Sequence, residues 1–319
     1  MTYRFLVILC ENVGDALCTT PAIKLLRDYA PTAQIDALAI TQVSAEVVKH
    51  NPVFNQVISV DMIHDFPLFA SCYTHRFVFI PTPKAIAVAE KMSLPFFKAE
   101  PPKPAHLREV GVTLLRRVFP DMHNKESEHY FLYPQTENEV AIKEKLKKAG
   151  ATFSPEEILI ACHVGCSKAA ARALKFWKRG VASHRTWPFK NFYFLTESFK
   201  KDYPQLKWVL TGTLGEQKII KKYFKKSDRI IDLTAQTSIL ELAALMKYCR
   251  VFLSGDTGPM HVASTTAVPM LTLFGSTHPS VTGPKPVRDN MIFLLGEEAI
   301  ETITVQQVKE NLLTLIVDQ

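Results

Sequence analysis

Residues 254–261 read Ser-Gly-Asp-Thr-Gly-Pro-Met-His and lie between two apolar runs, at 251–253 and 270–274. An apolar run, a glycine-containing loop, a short helical stretch and a second apolar run predict a βαβ unit whose helix begins at the loop. Pro259 suits the first turn of that helix, where a backbone N–H has no helical partner. The free N–H groups and the dipole of a helix start favour an anion. The stretch therefore predicts a parallel α/β sheet with a site for a diphosphate-bearing ligand.

The same alternation of apolar runs and helical patterns extends in both directions along the chain. Further apolar runs that predict strands fall at 5–9, 35–40, 57–60, 77–80, 157–164, 208–211, 230–233 and 291–295. Helical patterns lie between them, so we expect parallel strands throughout. The sequence predicts an α/β protein made of two doubly wound, Rossmann-like domains in tandem.

The pattern also predicts where these domains meet. Gly150 and the Ser154-Pro155 pair have the composition of a linker, so the predicted domains span 1–154 and 155–300. The remaining segment, 301–319, contains a helical pattern with an apolar stripe, which requires a packing partner. The spacing of the apolar residues leaves two packing partners open for this helix: the second domain or the first.

Composition limits the classes of protein. The chain has 319 residues, 47% of them hydrophobic, which is enough for two buried cores and excludes a disordered protein. Neither a secretory signal nor a long uncharged apolar segment is present, so we expect a cytoplasmic protein. The six cysteines are scattered without a second pair at zinc-ligand spacing, which favours free thiols over a metal site.

The net charge of +7 is concentrated in one short segment. Residues 167–185 contain no acid, and their six cationic side chains are Lys168, Arg172, Lys175, Lys178, Arg179 and Arg185. Such a segment is typical of a surface for an anionic partner, for example a membrane face or a phosphorylated glycolipid, and equally of a solvated loop. No helix-turn-helix, zinc-finger or RNP pattern accompanies the charge, so we do not expect a nucleic-acid partner.

Asp15 is the candidate for acid–base chemistry. It follows Gly14 directly after the first predicted strand, at the edge where ligands bind in open α/β sheets. An ionised aspartate there can accept a proton from a hydroxyl nucleophile, but Asp is also a favoured N-cap residue. The same loop lacks a G-x-G-x-x-G pattern, which argues against a dinucleotide-dependent oxidoreductase.

Three side chains in the second half are candidates for holding a nucleotide. Glu216 begins a predicted helix and could bind ribose hydroxyls, or it is an acidic helix start and nothing more. Arg185 precedes a Trp-Pro pair and could bind phosphate through its planar guanidinium, or it lies in solvent beside a buried Trp187. His261 is either a core histidine or a donor to a ligand oxygen.

Four motifs follow one another along the chain. They are residues 13–22 with the pattern Gly-Asp-x-x-x-x-x-Pro-Ala, 185–188 (Arg-Thr-Trp-Pro), 254–261, and 282–284 (Thr-Gly-Pro). In this order they resemble the bacterial lipopolysaccharide heptosyltransferases, which are inverting glycosyltransferases of GT-B architecture that use ADP-heptose. The resemblance covers nearly the whole chain. It implies two domains that face each other across a cleft, the first binding the acceptor and the second the nucleotide-sugar donor.

The resemblance also implies roles for individual residues. Asp15 would be the general base on the acceptor hydroxyl, Arg185 would contact the donor phosphate, and Glu216 would lie near the ribose. The segment around the diphosphate and the sugar would comprise Asp256, Thr257, Gly258, Pro259 and His261. The family needs no metal or other cofactor, and this sequence has no Asp-x-Asp pair to hold one. Cationic side chains and a helix start would neutralise the departing diphosphate.

The implied activity is transfer of heptose from ADP-heptose to the inner core of a lipid A-linked oligosaccharide. A monomer would carry it out at the cytoplasmic face of the inner membrane. Three alternatives stay open: a transferase of this family with another nucleotide sugar, a nucleotide-sugar epimerase of the same architecture, and a non-enzymatic binding protein. The sequence departs from the family at residues 10–12 (Cys-Glu-Asn), at 81–83 (Pro-Thr-Pro) and in the basic segment, all of which would border the acceptor side or the cleft.

Overall fold

Two compact α/β units make up the chain. The computed structural model describes residues 3–100, 106–165, 186–224 and 227–317. Contacts divide the chain into Met1–Tyr133 and Pro134–Gln319. Each unit is built on one sheet, in which neighbouring strands are parallel.

The first unit has a five-stranded sheet. Its strands are β1 (Arg4–Ile8), β2 (Gln34–Ala39), β3 (Gln56–Ser59), β4 (His75–Val78) and β5 (Phe97–Lys98). Its helices are α1 (Val13–Tyr29), α2 (Gln42–Val48), α3 (Phe66–Ser71), α4 (Pro83–Lys91) and α5 (Leu107–Val118). The spatial order is β3-β2-β1-β4-β5, so the strand order reverses between β1 and β4. In open α/β sheets, ligands bind outside the carboxyl ends of the strands at such a switch point.

Both faces of this sheet are covered, which is why its strands read as apolar runs. Successive side chains of a strand point to opposite faces. On one face, Leu6 and Ile8 share a buried cluster with residues of α3 and α4. On the other, the Phe5 ring packs against Phe77 of β4 and against Phe119, which follows α5. The position of Asp15 at the end of β1 is therefore fixed by a strand that is buried on both sides.

The second unit has a six-stranded sheet. Its strands are β6 (Ile158–His163), β7 (Leu206–Thr211), β8 (Ile230–Asp232), β9 (Val251–Gly255), β10 (Met270–Phe274) and β11 (Met291–Leu295). Its helices are α6 (Thr136–Lys148), α7 (Phe189–Ser198), α8 (Leu214–Tyr223), α9 (Ile239–Leu245), α10 (Gly258–Ser264), α11 (Pro279–Thr282) and α12 (Val305–Val317). The order β11-β10-β9-β6-β7-β8 is that of the dinucleotide-binding fold, with its switch point between β6 and β9.

Helix α6 belongs to the second unit by its contacts. It packs against α9, and Lys145 Nζ donates hydrogen bonds to both carboxylate oxygens of Glu241 at 2.7 and 2.8 Å. The sequence placed this helix at the end of a first domain that closed at residue 154. The structure places the division at Tyr133 and Pro134, ahead of the helix, because α6 is attached to α9 by packing and by this ion pair.

The C-terminal helix α12 also packs on the second unit. Its buried residues Val308 and Leu312 belong to the same apolar cluster as Leu253 of β9 and Leu271 of β10. Lys309 Nζ donates to the backbone oxygen of Ser198 in α7 at 2.8 Å. Of the two packing partners that the sequence left open for this helix, the described contacts belong to the second domain.

Candidate active site

Asp15 lies at the switch point of the first sheet. The N-cap of α1 is Asn12, so Asp15 is the third residue of the helix and is not its cap. Asn12 Nδ2 donates to Asp15 Oδ2 at 2.7 Å. The Asp15 side chain is half-buried. The carboxylate is thus held in the first turn after β1, on the edge of the sheet where ligands bind.

Two of the departures from the family pattern meet beside Asp15. Thr82, in the loop after β4, donates from Oγ1 to Glu11 Oε2 at 2.6 Å, and Glu11 lies in the loop after β1. The same hydroxyl caps α4 by accepting from the Ala85 N–H at 3.2 Å. Residues 10–12 and 81–83 therefore form one hydrogen-bonded feature across the switch point.

Cys10 completes this edge of the first unit as a neutral thiol. Its side chain is buried. Burial raises the pKa of the Cys10 thiol, and the nearby negative charges of Asp15 and Glu11 raise the pKa further. A thiol in this environment is not a nucleophile at neutral pH, which leaves the carboxylates as the charged groups of the loop.

Glu216 is fully buried in the first turn of α8. Its Oε2 accepts from the Thr213 N–H at 2.7 Å and from Thr213 Oγ1 at 3.0 Å. The bond from the Thr213 N–H belongs to a capping box, so the acidic-helix-start interpretation describes its local contacts. Within the described ranges, Oε1 is buried with no hydrogen-bond partner. One carboxylate oxygen is therefore committed to the helix start, and the other is left for a further donor.

Gly165 and His163 surround this carboxylate at the end of β6. A Cβ atom on Gly165 would lie less than 3.0 Å from Glu216 Oε1, so only glycine fits there without displacing the carboxylate. His163 Nδ1 lies 3.1 Å from Thr211 Oγ1. Burial lowers the pKa of His163, and the Glu216 charge opposes that shift. Neither Gly165 nor His163 was a predicted site residue; their place at the end of a strand beside the switch point is the signal that could have found them.

Asp256 joins two of the sequence motifs, 254–261 and 282–284. It follows β9 and is 5% exposed. Its Oδ2 accepts from Thr277 Oγ1 at 2.5 Å and from Thr282 Oγ1 at 3.2 Å. Neither threonine was predicted as a site residue, although Thr282 lies in the Thr-Gly-Pro motif. Asp256 therefore holds the loop after β10 and the Thr-Gly-Pro motif against the end of β9.

The helix start in the 254–261 stretch has the predicted form. Thr257 is the N-cap of α10, and Gly258 and Pro259 occupy the first two helical positions. Thr257 and His261 are both largely buried, at 9% and 5% exposure. The structure thus brings Asp256, Thr257, Gly258 and Pro259 together at the carboxyl end of β9, beside the switch point.

Several predicted residues lie outside the described ranges. They are Lys168, Arg172, Lys175, Lys178, Arg179 and Arg185. The neighbouring Trp187 is described: its ring is fully buried, and Nε1 donates to the backbone oxygen of Ile303 at 2.8 Å. The interpretation of Trp187 as a core residue is confirmed.

The described residues form neither a cluster of metal ligands nor a membrane-spanning helix. There, no group of three or more His, Cys, Asp or Glu side chains is arranged to hold a metal ion. The cysteines in these ranges, Cys10, Cys18, Cys72, Cys162 and Cys249, are free thiols. Among the same residues, no helix combines the length and the apolar character needed to cross a bilayer.

Solved structures share this fold over the full length of the chain. A glycosyl transferase of family 9 from Veillonella parvula matches with a TM-score of 0.79 and 19% identity, covering 99% of this chain and 98% of that one. The E. coli ADP-heptose lps heptosyltransferase II matches with a TM-score of 0.74 and 19% identity, covering 99% of both chains. E. coli heptosyltransferase WaaC with ADP matches with a TM-score of 0.64 and 14% identity, covering 98% and 99%.

These matches identify the two α/β units as the fold of the GT-B glycosyltransferases, so the predicted fold class is confirmed. The sequence profile of glycosyltransferase family 9 (heptosyltransferase) matches residues 85–312. The chain belongs to this family and is a glycosyltransferase. No curated protein sequence matches the chain.

Proposed function

We propose that the protein transfers heptose from ADP-heptose to the inner core of lipid A-linked lipopolysaccharide. Family membership supports a heptosyltransferase-like reaction, and the related WaaC structure contains ADP. The observation that carries the proposal is the carboxylate of Asp15 at the switch point of the first sheet, held by Asn12 through one oxygen only among the described contacts. A half-buried carboxylate at that edge can accept the proton of an acceptor hydroxyl.

The reaction we propose is a single displacement. The acceptor hydroxyl gives its proton to Asp15, and its oxygen bonds to the anomeric carbon of the donor. The bond from that carbon to the diphosphate oxygen breaks, the configuration inverts, and ADP leaves with the electron pair. Asp15 thus acts only as a base, and the remaining task for the protein is to stabilise the leaving diphosphate.

The second unit provides groups suited to the donor. The α10 start at Thr257, Gly258 and Pro259 would receive the diphosphate, and Arg185 would add a positive charge. Glu216 Oε1, which has no partner in the described ranges, would accept from a ribose hydroxyl. We assign no step to a metal or other cofactor.

The positive charge of residues 167–185 supports the proposed acceptor and the proposed membrane association. Six cationic side chains within residues 167–185, without an acid, would attract an anionic glycolipid and the cytoplasmic face of the inner membrane. We propose peripheral association of a monomer at that face.

A donor panel tests the function. The enzyme is incubated with ADP-heptose and with several UDP- and GDP-sugars, each with and without heptose-deficient core glycolipids, and the products are read by mass spectrometry. We expect addition of one heptose to the acceptor with release of ADP. Transfer from a different nucleotide sugar would replace the proposed donor, and conversion of a donor without any acceptor would indicate an epimerase.

The base is tested by Asp15→Asn. This change keeps the size of the side chain and removes its ability to take a proton. We expect kcat to fall by about 10²- to 10⁴-fold, the usual worth of a general base, while donor affinity measured by calorimetry is unchanged. Transfer near the wild-type rate would exclude Asp15 as the base.

A further inference from the structure

Asn12 does not make the hydrogen bond that is typical of an N-cap residue. Asn is favoured at this position because its side-chain oxygen accepts from an N–H of the first turn. Here Asn12 has the extended backbone of an N-cap, with φ −98° and ψ 142°, but its side chain makes no capping hydrogen bond. Its amide nitrogen instead donates to Asp15 Oδ2 at 2.7 Å.

Two other helices of this chain, α2 and α9, start differently. In α2, the Thr41 hydroxyl accepts from the Ser44 N–H at 3.1 Å. In α9, the Ser238 hydroxyl accepts from the Glu241 N–H at 3.2 Å, and Glu241 Oε2 accepts from the Ser238 N–H at 2.9 Å. Each of these side chains stabilises its own helix start. At α1 the corresponding side chain is turned to the carboxylate of Asp15, so its contact does not serve the helix.

The charged groups beside Asn12 are accounted for by other contacts. Glu11 Oε2 accepts from Thr82 Oγ1 at 2.6 Å. Cys10 is buried and remains a neutral thiol. Each of these two carboxylates thus has its own neutral hydrogen-bond donor: Thr82 for Glu11, and Asn12 for Asp15.

We propose that Asn12 is a positioning residue for the general base: its amide holds Asp15 Oδ2 and leaves Oδ1 to take the proton of the acceptor hydroxyl. The inference rests on the proposed role of Asp15 and not on the identity of the donor sugar. A neutral amide suits the task. It orients the carboxylate through a hydrogen bond, whereas a lysine or arginine in its place would favour the ionised form more strongly and weaken the base.

Two variants separate positioning from helix capping. Asn12→Ala removes both the donor and the capping residue, whereas Asn12→Asp keeps a residue that caps well and replaces the donor by a second carboxylate. For Asn12→Ala we expect kcat to fall about 10-fold or more, with KM for the donor within about 2-fold of wild type, because misplacement of a reacting group costs rate. For Asn12→Asp we expect the melting temperature to be maintained and the acid limb of the pH–rate profile to move up by about one pH unit, because adjacent carboxylates hold a proton more tightly.

Asn124→Asp is the matched control. Asn124 is an exposed asparagine of the same unit, and its Nδ2 donates to the backbone oxygen of Asp28 at 3.3 Å. This variant adds the same charge away from Asp15, so its pH–rate profile should match that of the wild type. All rates are measured with the nucleotide sugar that the wild-type enzyme uses in the donor panel.

The outcomes distinguish the two proposals. A wild-type kcat and acid limb in both Asn12 variants would overturn the positioning role. A loss of rate in Asn12→Ala that Asn12→Asp fully restores would also overturn it, because that pattern belongs to helix capping. Transfer near the wild-type rate in Asp15→Asn would remove the base and the role of Asn12 with it. A donor other than ADP-heptose would change the proposed function and leave the inference about Asn12 standing.

Discussion

Glu216 offers a sharp test of the proposed donor binding, because its two oxygens have different contacts. Oε2 accepts two hydrogen bonds from Thr213, and Oε1 is buried without a partner in the described ranges. Glu216→Gln keeps the shape and a capping oxygen, since glutamine also serves in a capping box. We therefore expect the free energy of unfolding to change by less than about 1 kcal/mol. With its oxygen committed to Thr213, the variant would present an NH₂ group to the ribose.

The expected loss of affinity follows from that replacement. A hydrogen bond to a charged group is worth about 1.5–3 kcal/mol, so ADP should bind about 10- to 100-fold more weakly to Glu216→Gln. Glu216→Ala should lose the same affinity and also about 0.5–2 kcal/mol of stability, through loss of the capping contact. Stability is measured by urea unfolding and affinity by isothermal calorimetry.

Analogues of ADP that lack one ribose hydroxyl show which hydroxyl binds Glu216. If Glu216 binds the ribose, wild type should lose affinity on going from ADP to 2′-deoxy- or 3′-deoxy-ADP, and Glu216→Gln should lose much less with at least one of them. Wild-type ADP affinity in Glu216→Gln would refute the ribose contact. Glu216 would then serve only as the start of α8.

Two further predictions concern the surroundings of Glu216. Gly165→Ala places a Cβ less than 3.0 Å from Glu216 Oε1. We expect it to cost about 1–3 kcal/mol, as overpacking does, and to cost less in a Glu216→Ala background; equal costs in a double-mutant cycle would contradict the overlap. Burial lowers the pKa of His163 against the opposing charge of Glu216. The folded state therefore binds fewer protons than the unfolded state. The contribution of His163 to the free energy of unfolding has its full value above about pH 6.5, the pKa of histidine in the unfolded chain, and falls as the pH falls. His163→Gln should lose less unfolding free energy than wild type between pH 7 and pH 5, and parallel curves would contradict the assignment.

The sequence predicted the sheets well because their strands are buried on both faces. In continuous apolar runs such as 251–253 and 270–274, apolar side chains point to both faces of the strand. A parallel sheet that is covered on both faces buries these side chains and pairs the backbone N–H and C=O groups. The strand β5 (Phe97–Lys98) was not predicted, since it has two residues and both are exposed. The attachment of α6 to the second unit was not predicted for a different reason. Its attachment to the second unit depends on the Lys145–Glu241 contact, which joins residues far apart in sequence.

The places of the candidate site residues in the fold were predictable where they coincided with a helix start. Asp15, Glu216 and Pro259 follow predicted strands directly, so their place at the carboxyl edge follows from the βαβ order alone. The partners of these residues could not be predicted in the same way. Thr82 with Glu11 and Thr282 with Asp256 pair across loops whose conformations no local pattern specifies. Gly165 acquires its importance only from the carboxylate packed against it.

The carboxylates of Asp15 and Glu216 are held by the same kind of hydrogen bond, but the two side chains differ in exposure. Asp15 and Glu216 are each the third residue of a helix that follows a strand, and the N-cap residue of each helix donates to one of the two oxygens. The helix start thus fixes one oxygen and leaves the other for a ligand hydroxyl. Asp15 is half-buried, which suits its proposed role, because a base must exchange its proton with water after each turnover. Glu216 is fully buried. A carboxylate in that setting gains from accepting a hydroxyl hydrogen bond, because its second oxygen is buried and has no partner among the described residues. The same local geometry would therefore serve the proposed base in the first unit and the proposed ribose contact in the second.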